Sequence, residues 1–121
     1  AEGFNKILDF GEFWDEYSKG LPLPLGLDVV RKDLGEGLAK KLSLGLKESI
    51  HYGYTHQKES VPYAMKWGRG IDYKLGEKFV KMYVSELTID MGEKGKEALE
   101  LLFKLGYDKK IIPNVPHIVL L

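Results

Sequence analysis

The chain has 121 residues, enough for one domain with a modest hydrophobic core, and no apolar run as long as a membrane span. Its 18 basic and 18 acidic residues cancel, so the charge does not favour nucleic acid or a membrane surface as a partner. The lack of cysteine excludes disulfides and thiolate sites and, with no visible signal peptide, predicts a cytoplasmic protein.

The N-terminal residues predict a short strand followed by a helix. Residues 4–8 form an apolar run, and Asp9 with Glu12 has the form of a capping box. Gly20 is suited to the end of the helix. Four aromatic residues recur at helical spacing and predict a buried stripe: Phe10, Phe13, Trp14 and Tyr17.

Residues 19–27, which we call the crossing segment, are apolar and contain Pro22 and Pro24. Each proline fixes its own φ and keeps the preceding residue out of the helical region, so the segment is predicted to be extended. Proline donates no backbone hydrogen bond, which excludes a central strand. Such a segment is typical of a chain that passes between two bodies or lines a cleft. A surface linker is the alternative, although linkers are seldom this apolar.

The middle of the chain predicts a strand over residues 25–31 and then a long helix. Asp33 with Glu36 has the form of a capping box, and Gly45 and Gly53 suggest close packing of the helix backbone. Because the apolar row winds around the helix, the helix is predicted to contact more than one neighbour. The row has a residue at every fourth position: Leu34, Leu38, Leu42, Leu46, Ile50 and Tyr54.

The C-terminal half predicts a helix over residues 60–67, a helix from Asp72 to Tyr83, an irregular stretch over residues 85–91 and a last helix between Gly92 and Gly106. The apolar tail, residues 111–121, is expected to be extended and docked.

This inventory has several helices but only two or three strands, too few for a stable sheet. We therefore expect polypeptide outside this chain to complete the sheet, and the start at Ala1 in place of Met fits a processed or partial polypeptide.

The residue spacing predicts no catalytic residue and no metal site. His51 and His56 are five positions apart, which does not place two ligands on one helical face, and Gly-x-Ser-x-Gly is absent. Both histidines are expected at the end of the long helix, where an imidazolium suits the helix dipole. Arg31 and Arg69 are candidates for binding an anion, although a solvated or ion-paired role is favoured for each.

The chain resembles the later half of the 1,4-dihydroxy-6-naphthoate synthase family, which acts in menaquinone biosynthesis through futalosine. The resemblance covers nearly the whole chain, with Ser85 where the family usually shows Asn and Pro62 in a helix that normally lacks it. These stretches carry it: Asp9-Phe10-Gly11-Glu12-Phe13-Trp14, Gly20-Leu21-Pro22-Leu23-Pro24-Leu25-Gly26, Arg31-Lys32-Asp33-Leu34-Gly35, Ser49-Ile50 with Tyr52, His56 with Glu59, and Met82-Tyr83-Val84-Ser85-Glu86-Leu87-Thr88-Ile89-Asp90-Met91-Gly92-Glu93-Lys94-Gly95.

The resemblance implies an α/β fold of the two-lobed periplasmic binding protein type II kind, of which this chain would be the helix-rich C-terminal half with two or three strands. Residues 1–27 would end the second lobe and cross between lobes, and residues 28–121 would form a strand and a helical return on the first lobe. The substrate-binding residues would be Leu23, Pro24, Leu25 and Gly26.

The function implied is that of a lyase, which converts cyclic dehypoxanthine futalosine to 1,4-dihydroxy-6-naphthoate without metal or organic cofactor. The family's general-base histidine lies upstream, so no catalytic residue is assigned here and His51, His56 and His117 are not substitutes. The partner would be the N-terminal half of the enzyme, in the same or a separate chain, and this chain alone is expected to be inactive. Two alternatives remain: chorismate dehydratase, disfavoured by the Leu-Pro-Leu-Pro-Leu-Gly element, and a non-catalytic protein that binds small acidic solutes.

Overall fold

The computed structural model describes residues 3–68, 70 and 72–121. Over those residues the secondary structure is helical, and none of the helices is long and apolar enough to cross a membrane. The helices are α1 (Phe10–Ser18), α2 (Glu36–Thr55), α3 (Gln57–Met65), α4 (Tyr73–Tyr83), α5 (Glu86–Ile89) and α6 (Gly92–Asp108), with a 3₁₀ turn at Lys32–Leu34.

The predicted α/β fold of the periplasmic binding protein type II kind is wrong for this chain, because the described residues contain no strand. Residues 4–8 and 25–31, where strands were expected, have no regular secondary structure. A strand exists only when its backbone pairs with a neighbouring strand, and these segments find none. Local apolar pattern alone therefore overestimated the strand content.

The chain divides into two compact units. One holds α1 and α6 with the segments that follow each helix, and the other holds α2 to α5. The assignment of residues 1–27 and 28–121 to two lobes of a larger protein stays a prediction.

Helix α1 begins at the predicted N-cap, Asp9, but without the predicted capping box. The Asp9 carboxylate accepts hydrogen bonds from the backbone N–H of Gly11 at 2.8 Å and of Glu12 at 3.2 Å. The Glu12 carboxylate binds Lys6 Nζ at 3.0 Å instead of the Asp9 backbone N–H. Asp9 and Glu12 therefore do not form the reciprocal pair of a capping box.

The end of α1 differs from the prediction by one residue. Lys19 is the left-handed residue, at φ 60°, and the Gly20 N–H then donates to the Asp15 carbonyl at 2.9 Å. This is the bond that closes a Schellman motif. Of the predicted aromatic stripe only Trp14 is buried, since the rings of Phe10, Phe13 and Tyr17 are exposed.

Helix α2 begins after Gly35, so the predicted capping box at Asp33 is wrong. The Asp33 carboxylate instead accepts hydrogen bonds from Arg31 Nε at 2.9 Å and Nη2 at 2.6 Å, and it is therefore occupied. Arg31 is thus ion-paired, which is the role that the sequence favoured over anion binding. Arg69 lies outside the described residues.

Helix α2 contacts more than one neighbour, as predicted, because α3 and α5 both pack against it. Gly53 lies against the Ser60 side chain, with Oγ 3.7 Å from the position of an added Cβ, whereas Gly45 faces open space. Ala39 is nevertheless the one buried residue among the 20 of α2. The apolar row is thus left largely uncovered.

Helix α3 begins at Gln57, before the predicted start, and contains Pro62 in its interior. The His56 carbonyl accepts from the N–H groups of Glu59 and Ser60, both at 3.0 Å, which builds the first turn earlier. In α4 the Asp72 carboxylate caps as predicted, accepting from the Leu75 N–H at 2.9 Å.

The stretch predicted as irregular contains α5. Ser85 and Thr88 form a capping box, in which the Ser85 N–H donates to Thr88 Oγ1 at 3.1 Å. Serine and asparagine are about equally good at the N-cap, so Ser85 suits this place as well as the residue usual in the family.

Helix α6 extends past Gly106, where its end was predicted, to Asp108. Ile112 side-chain atoms come within 3.4 Å of where a Cβ on Gly106 would lie, so the glycine permits this close approach. Ile112 is half-buried, but Val115 and Val119 further along the tail are exposed. Ile118 is also half-buried, and Ser43 Oγ donates to the Leu121 carbonyl at 2.9 Å, so the tail is docked at some positions and exposed at others.

Candidate functional site

The crossing segment contains no helix, strand or turn from Leu21 onward, and side chains of α1 hold its start. The Trp14 indole Nε1–H donates to the Pro22 carbonyl at 3.0 Å. Ser18 Oγ accepts from the Leu21 N–H at 3.1 Å and donates to the Leu21 carbonyl at 3.3 Å. The chain therefore leaves α1 in a defined direction without being part of a sheet.

The predicted substrate-binding residues come directly after this anchored stretch. Leu23 and Pro24 are half-buried, whereas Leu25 is 72% exposed and Gly26 is also exposed. Gly26 has no positive φ, and nothing lies within 4 Å of where its Cβ would be. Neither backbone strain nor packing within the described residues thus explains a glycine here, although close approach of a ligand would.

These four residues offer apolar surface and backbone polar groups but no titratable side chain. Such a surface can bind and orient an apolar ring, and it cannot by itself transfer a proton. Whether these residues bind substrate stays a prediction.

A second cluster lies where α2 meets α3. The rings of Tyr52 and His56 stack with centroids 4.0 Å apart and an interplanar angle of 9°, and the Tyr52 hydroxyl donates to Glu59 Oε2 at 3.3 Å. The family resemblance includes these residues, but the sequence prediction did not bring them into contact. The spacing of four between Tyr52 and His56, which places two side chains on one helical face, was the available signal.

The His56 ring is used to end α2. Its Nδ1 lies 3.0 Å from the Tyr52 carbonyl oxygen and 2.9 Å from Thr55 Oγ1. Both contacts tie the His56 ring to the last turn of α2. This agrees with the expectation that the histidine lies at the end of the long helix.

An open pocket of about 540 Å³ lies beside this cluster. Glu77 in its lining binds Lys81 Nζ at 2.8 Å, and this hydrogen bond raises the pKa of Lys81. The lining contains one lysine, Lys58, and two glutamates, Glu59 and Glu77, so its charges do not favour an anion. The lining residues are Tyr54, Thr55, His56, Gln57, Lys58, Glu59, Tyr73 and Glu77.

Comparison with known proteins decides the family. The sequence profile of the family described as "Menaquinone biosynthesis" matches residues 1–108. The chain belongs to this family. The resemblance noted from the proline element and the motifs around it is therefore confirmed for the menaquinone biosynthesis family.

Two relatives carry the name 1,4-dihydroxy-6-naphthoate synthase. The protein of Thermus thermophilus is 35% identical over 84% of this chain, and the protein of Streptomyces coelicolor is 31% identical over 92% of it. The aligned regions span 37% and 39% of the lengths of those two proteins, so this chain corresponds to less than two-fifths of each. No solved structure matches the chain.

Proposed function

We propose that this chain is part of a lyase of menaquinone biosynthesis that converts cyclic dehypoxanthine futalosine to 1,4-dihydroxy-6-naphthoate. The observation that carries the proposal is the 31–35% identity to two proteins named for that product, over most of this chain. In this reaction a base abstracts a proton, the naphthoate ring becomes aromatic and the sugar-derived portion leaves.

This chain contributes binding surface in that reaction and does not contribute the base. The crossing segment presents Leu25 and Gly26 on the outside of the chain, where an aromatic ring can lie against them. The family resemblance places the general-base histidine upstream of this chain, so we assign the base to polypeptide outside residues 1–121. His56 Nδ1 lies 3.0 Å from the Tyr52 carbonyl oxygen, a contact that ties its ring to the end of α2.

The exposed surface supports a protein partner. The chain has 10410 Å² of accessible surface. Even two separate compact domains of half its mass would together expose only about 8,000 Å². The accessible surface beyond this value is about as large as the area that one partner buries in a permanent protein–protein interface. Such interfaces bury roughly 2,000–5,000 Å² when both partners are counted. A surface of this kind is unusual for a protein without a partner.

The apolar row of α2 is the part of this surface with the clearest pattern. Three of its leucines, Leu38, Leu42 and Leu46, are 44–49% exposed, and Leu34 in the preceding 3₁₀ turn is 42% exposed. On the same face Gly45 has open space where a Cβ would lie. A continuous row at a spacing of four forms a ridge for another element to pack against, and a glycine beside it permits close approach.

We assign this row to polypeptide corresponding to the rest of the relatives' length, in the same or a separate chain. Only 37% and 39% of the two relatives' lengths align with this chain, so most of each relative lies outside the aligned region. We call this chain together with that polypeptide the assembled enzyme.

The reaction is tested by giving the assembled enzyme cyclic dehypoxanthine futalosine and chorismate in separate assays and identifying the products by mass spectrometry. We expect 1,4-dihydroxy-6-naphthoate from the first compound and no turnover of the second. Conversion of chorismate, or binding of either compound without turnover, would contradict the proposal.

The role of the crossing segment is tested by Gly26→Ala in the assembled enzyme. A methyl group that enters the space of a bound ring should raise KM by about tenfold or more. Gly37→Ala is the matched control, since Gly37 also has open space around it and no positive φ. An unchanged KM in Gly26→Ala would remove this residue from the binding surface.

A further inference from the structure

We propose that Trp14 and Ser18 are positioning residues that fix the crossing segment so that Leu23, Pro24, Leu25 and Gly26 meet the substrate. The inference rests on the proposed function. It goes beyond that function because it assigns a role to two residues of α1 that carry no charge.

Trp14 supplies the first fixed point. It is 4% exposed, and its Nε1–H donates to the Pro22 carbonyl at 3.0 Å. Phe10 and Phe13 on the same helix have exposed rings, and a phenylalanine ring carries no N–H to donate. A buried donor that lost this acceptor would be left unsatisfied, so the bond fixes the place of the Pro22 carbonyl.

Ser18 supplies the second fixed point, one residue earlier. Its hydroxyl is bonded to both the N–H and the carbonyl of Leu21, at 3.1 and 3.3 Å. Between them the chain reverses through Lys19 at φ 60° and Gly20 at φ 91°. The side chain therefore fixes both polar groups of the first extended residue.

The two prolines carry this placement forward. Proline fixes its own φ, and the residue before a proline is restricted to extended conformations. Pro22 and Pro24 thus restrict every residue from Leu21 to Pro24. Leu25 follows Pro22 by three residues, and consecutive Cα atoms are about 3.8 Å apart. The exposed side chain of Leu25 therefore lies close to the fixed carbonyl of Pro22. A shift at Trp14 would consequently move the surface that Leu25 and Gly26 present.

The test uses the assembled enzyme with Trp14→Phe, which keeps an aromatic ring and removes the N–H, and with Ser18→Ala. Trp14→Phe removes one hydrogen bond and Ser18→Ala removes two, and the loss of bonds that position a binding surface should raise KM by about fivefold or more in each variant. Because substrate and transition state would be affected alike, kcat should remain within about twofold of its original value. Ser18→Thr, which keeps the hydroxyl, should restore KM.

Phe13→Leu is the matched control, because Phe13 is on the same helix with an exposed ring that stacks on Tyr17 at 5.9 Å. Its KM should be unchanged. Equal KM values in the original enzyme, Trp14→Phe and Ser18→Ala would overturn the inference, as would failure of Ser18→Thr to restore KM.

Amide hydrogen exchange separates this inference from the proposed function. In Trp14→Phe the Leu21 N–H, which is bonded to Ser18, should exchange faster, whatever the enzyme converts. Faster exchange without turnover of cyclic dehypoxanthine futalosine would refute the proposed reaction but retain the fixed segment. Unchanged exchange would refute the positioning role even in an active enzyme.

Discussion

The corner formed by α1 and the crossing segment differs from α2 in how its apolar residues are covered. At the corner Trp14 is buried, and hydrogen bonds from Trp14 and Ser18 hold the following chain. In α2, which is more than twice as long, Ala39 is the buried residue and a row of leucines stays half-exposed.

The difference separates what this chain stabilises by itself from the surface that we propose a partner covers. The corner has a side-chain cap and a buried tryptophan, and it belongs to a compact unit that also contains α6 of this chain. A 20-residue amphipathic helix gains most of its stability from packing of its apolar face. The proposed partner therefore matters more for α2 than for the corner.

The largest expected effect comes from a charge in the row of α2. Leu42→Lys should raise the dissociation constant for assembly by about 100-fold or more, because burial of an unpaired ammonium costs several kcal/mol. Binding of the two polypeptides can be measured by titration calorimetry, or by subunit exchange if they are expressed as one cleavable chain.

Leu44→Lys is the matched control for this prediction. Leu44 is on the same helix and is exposed, but two residues of α-helix turn it about 200° away from Leu42. Assembly should be unaffected by that change. Equal weakening by both substitutions would mean that the row of leucines is not the docking face.

Gly45→Ala is expected to have a smaller effect, which should be favourable in the free chain and unfavourable in the assembled enzyme. In the free chain alanine should stabilise α2 by about 1 kcal/mol, since glycine is a poor helix former and Gly45 contacts nothing there. In the assembled enzyme the added methyl group should weaken binding, because the partner approaches closely. Circular dichroism melts of the free chain and binding titrations measure the two effects, and a gain in both settings would place the partner elsewhere.

The smallest effect concerns the corner itself. Hydrogen bonds from the backbone of Glu12 and then Gly11 lower the pKa of Asp9, with a smaller contribution from Lys6. A carboxyl whose folded pKa is lowered contributes stability above its unfolded pKa, near 4, and loses it as the pH falls through the folded value. An NMR titration of the Asp9 carboxyl should therefore show a midpoint below that of an unfolded aspartate.

Asp9→Asn tests the same cap by stability. Asparagine caps a helix about as well as aspartate but does not titrate in this range. The variant should keep α1 and lose this part of the acid sensitivity. Identical acid unfolding of the variant and the original chain would show that the Asp9 cap contributes nothing to stability in acid.

The sequence predicted the features that depend on neighbouring residues. The caps at Asp9 and Asp72 and the winding row of α2 follow from local chemistry, and the structure contains each of them. The crossing segment contains neither helix nor strand, in agreement with its two prolines. The family was also identified correctly, from the proline element and the motifs on either side of it.

The failures have a different cause. Strands were predicted for segments that have no partner strand among the described residues, and the aromatic stripe was predicted to be buried although three of its rings lie exposed. Strand pairing and the burial of a ring both depend on contacts with distant parts of the polypeptide. The local sequence pattern carries no information about those contacts. At Asp33 the expected cap failed because Arg31 competes for the carboxylate, and at Ser85 a short capping box was overlooked. The substrate-binding role of Leu23, Pro24, Leu25 and Gly26 stays a prediction.

The most direct test of the account compares the 121-residue chain with the assembled enzyme, both supplied with cyclic dehypoxanthine futalosine. Formation of 1,4-dihydroxy-6-naphthoate is followed by chromatography with mass detection. We predict product from the assembled enzyme and none from the chain alone, because the base and the surface that covers α2 lie outside it. Turnover by the chain alone would contradict the account.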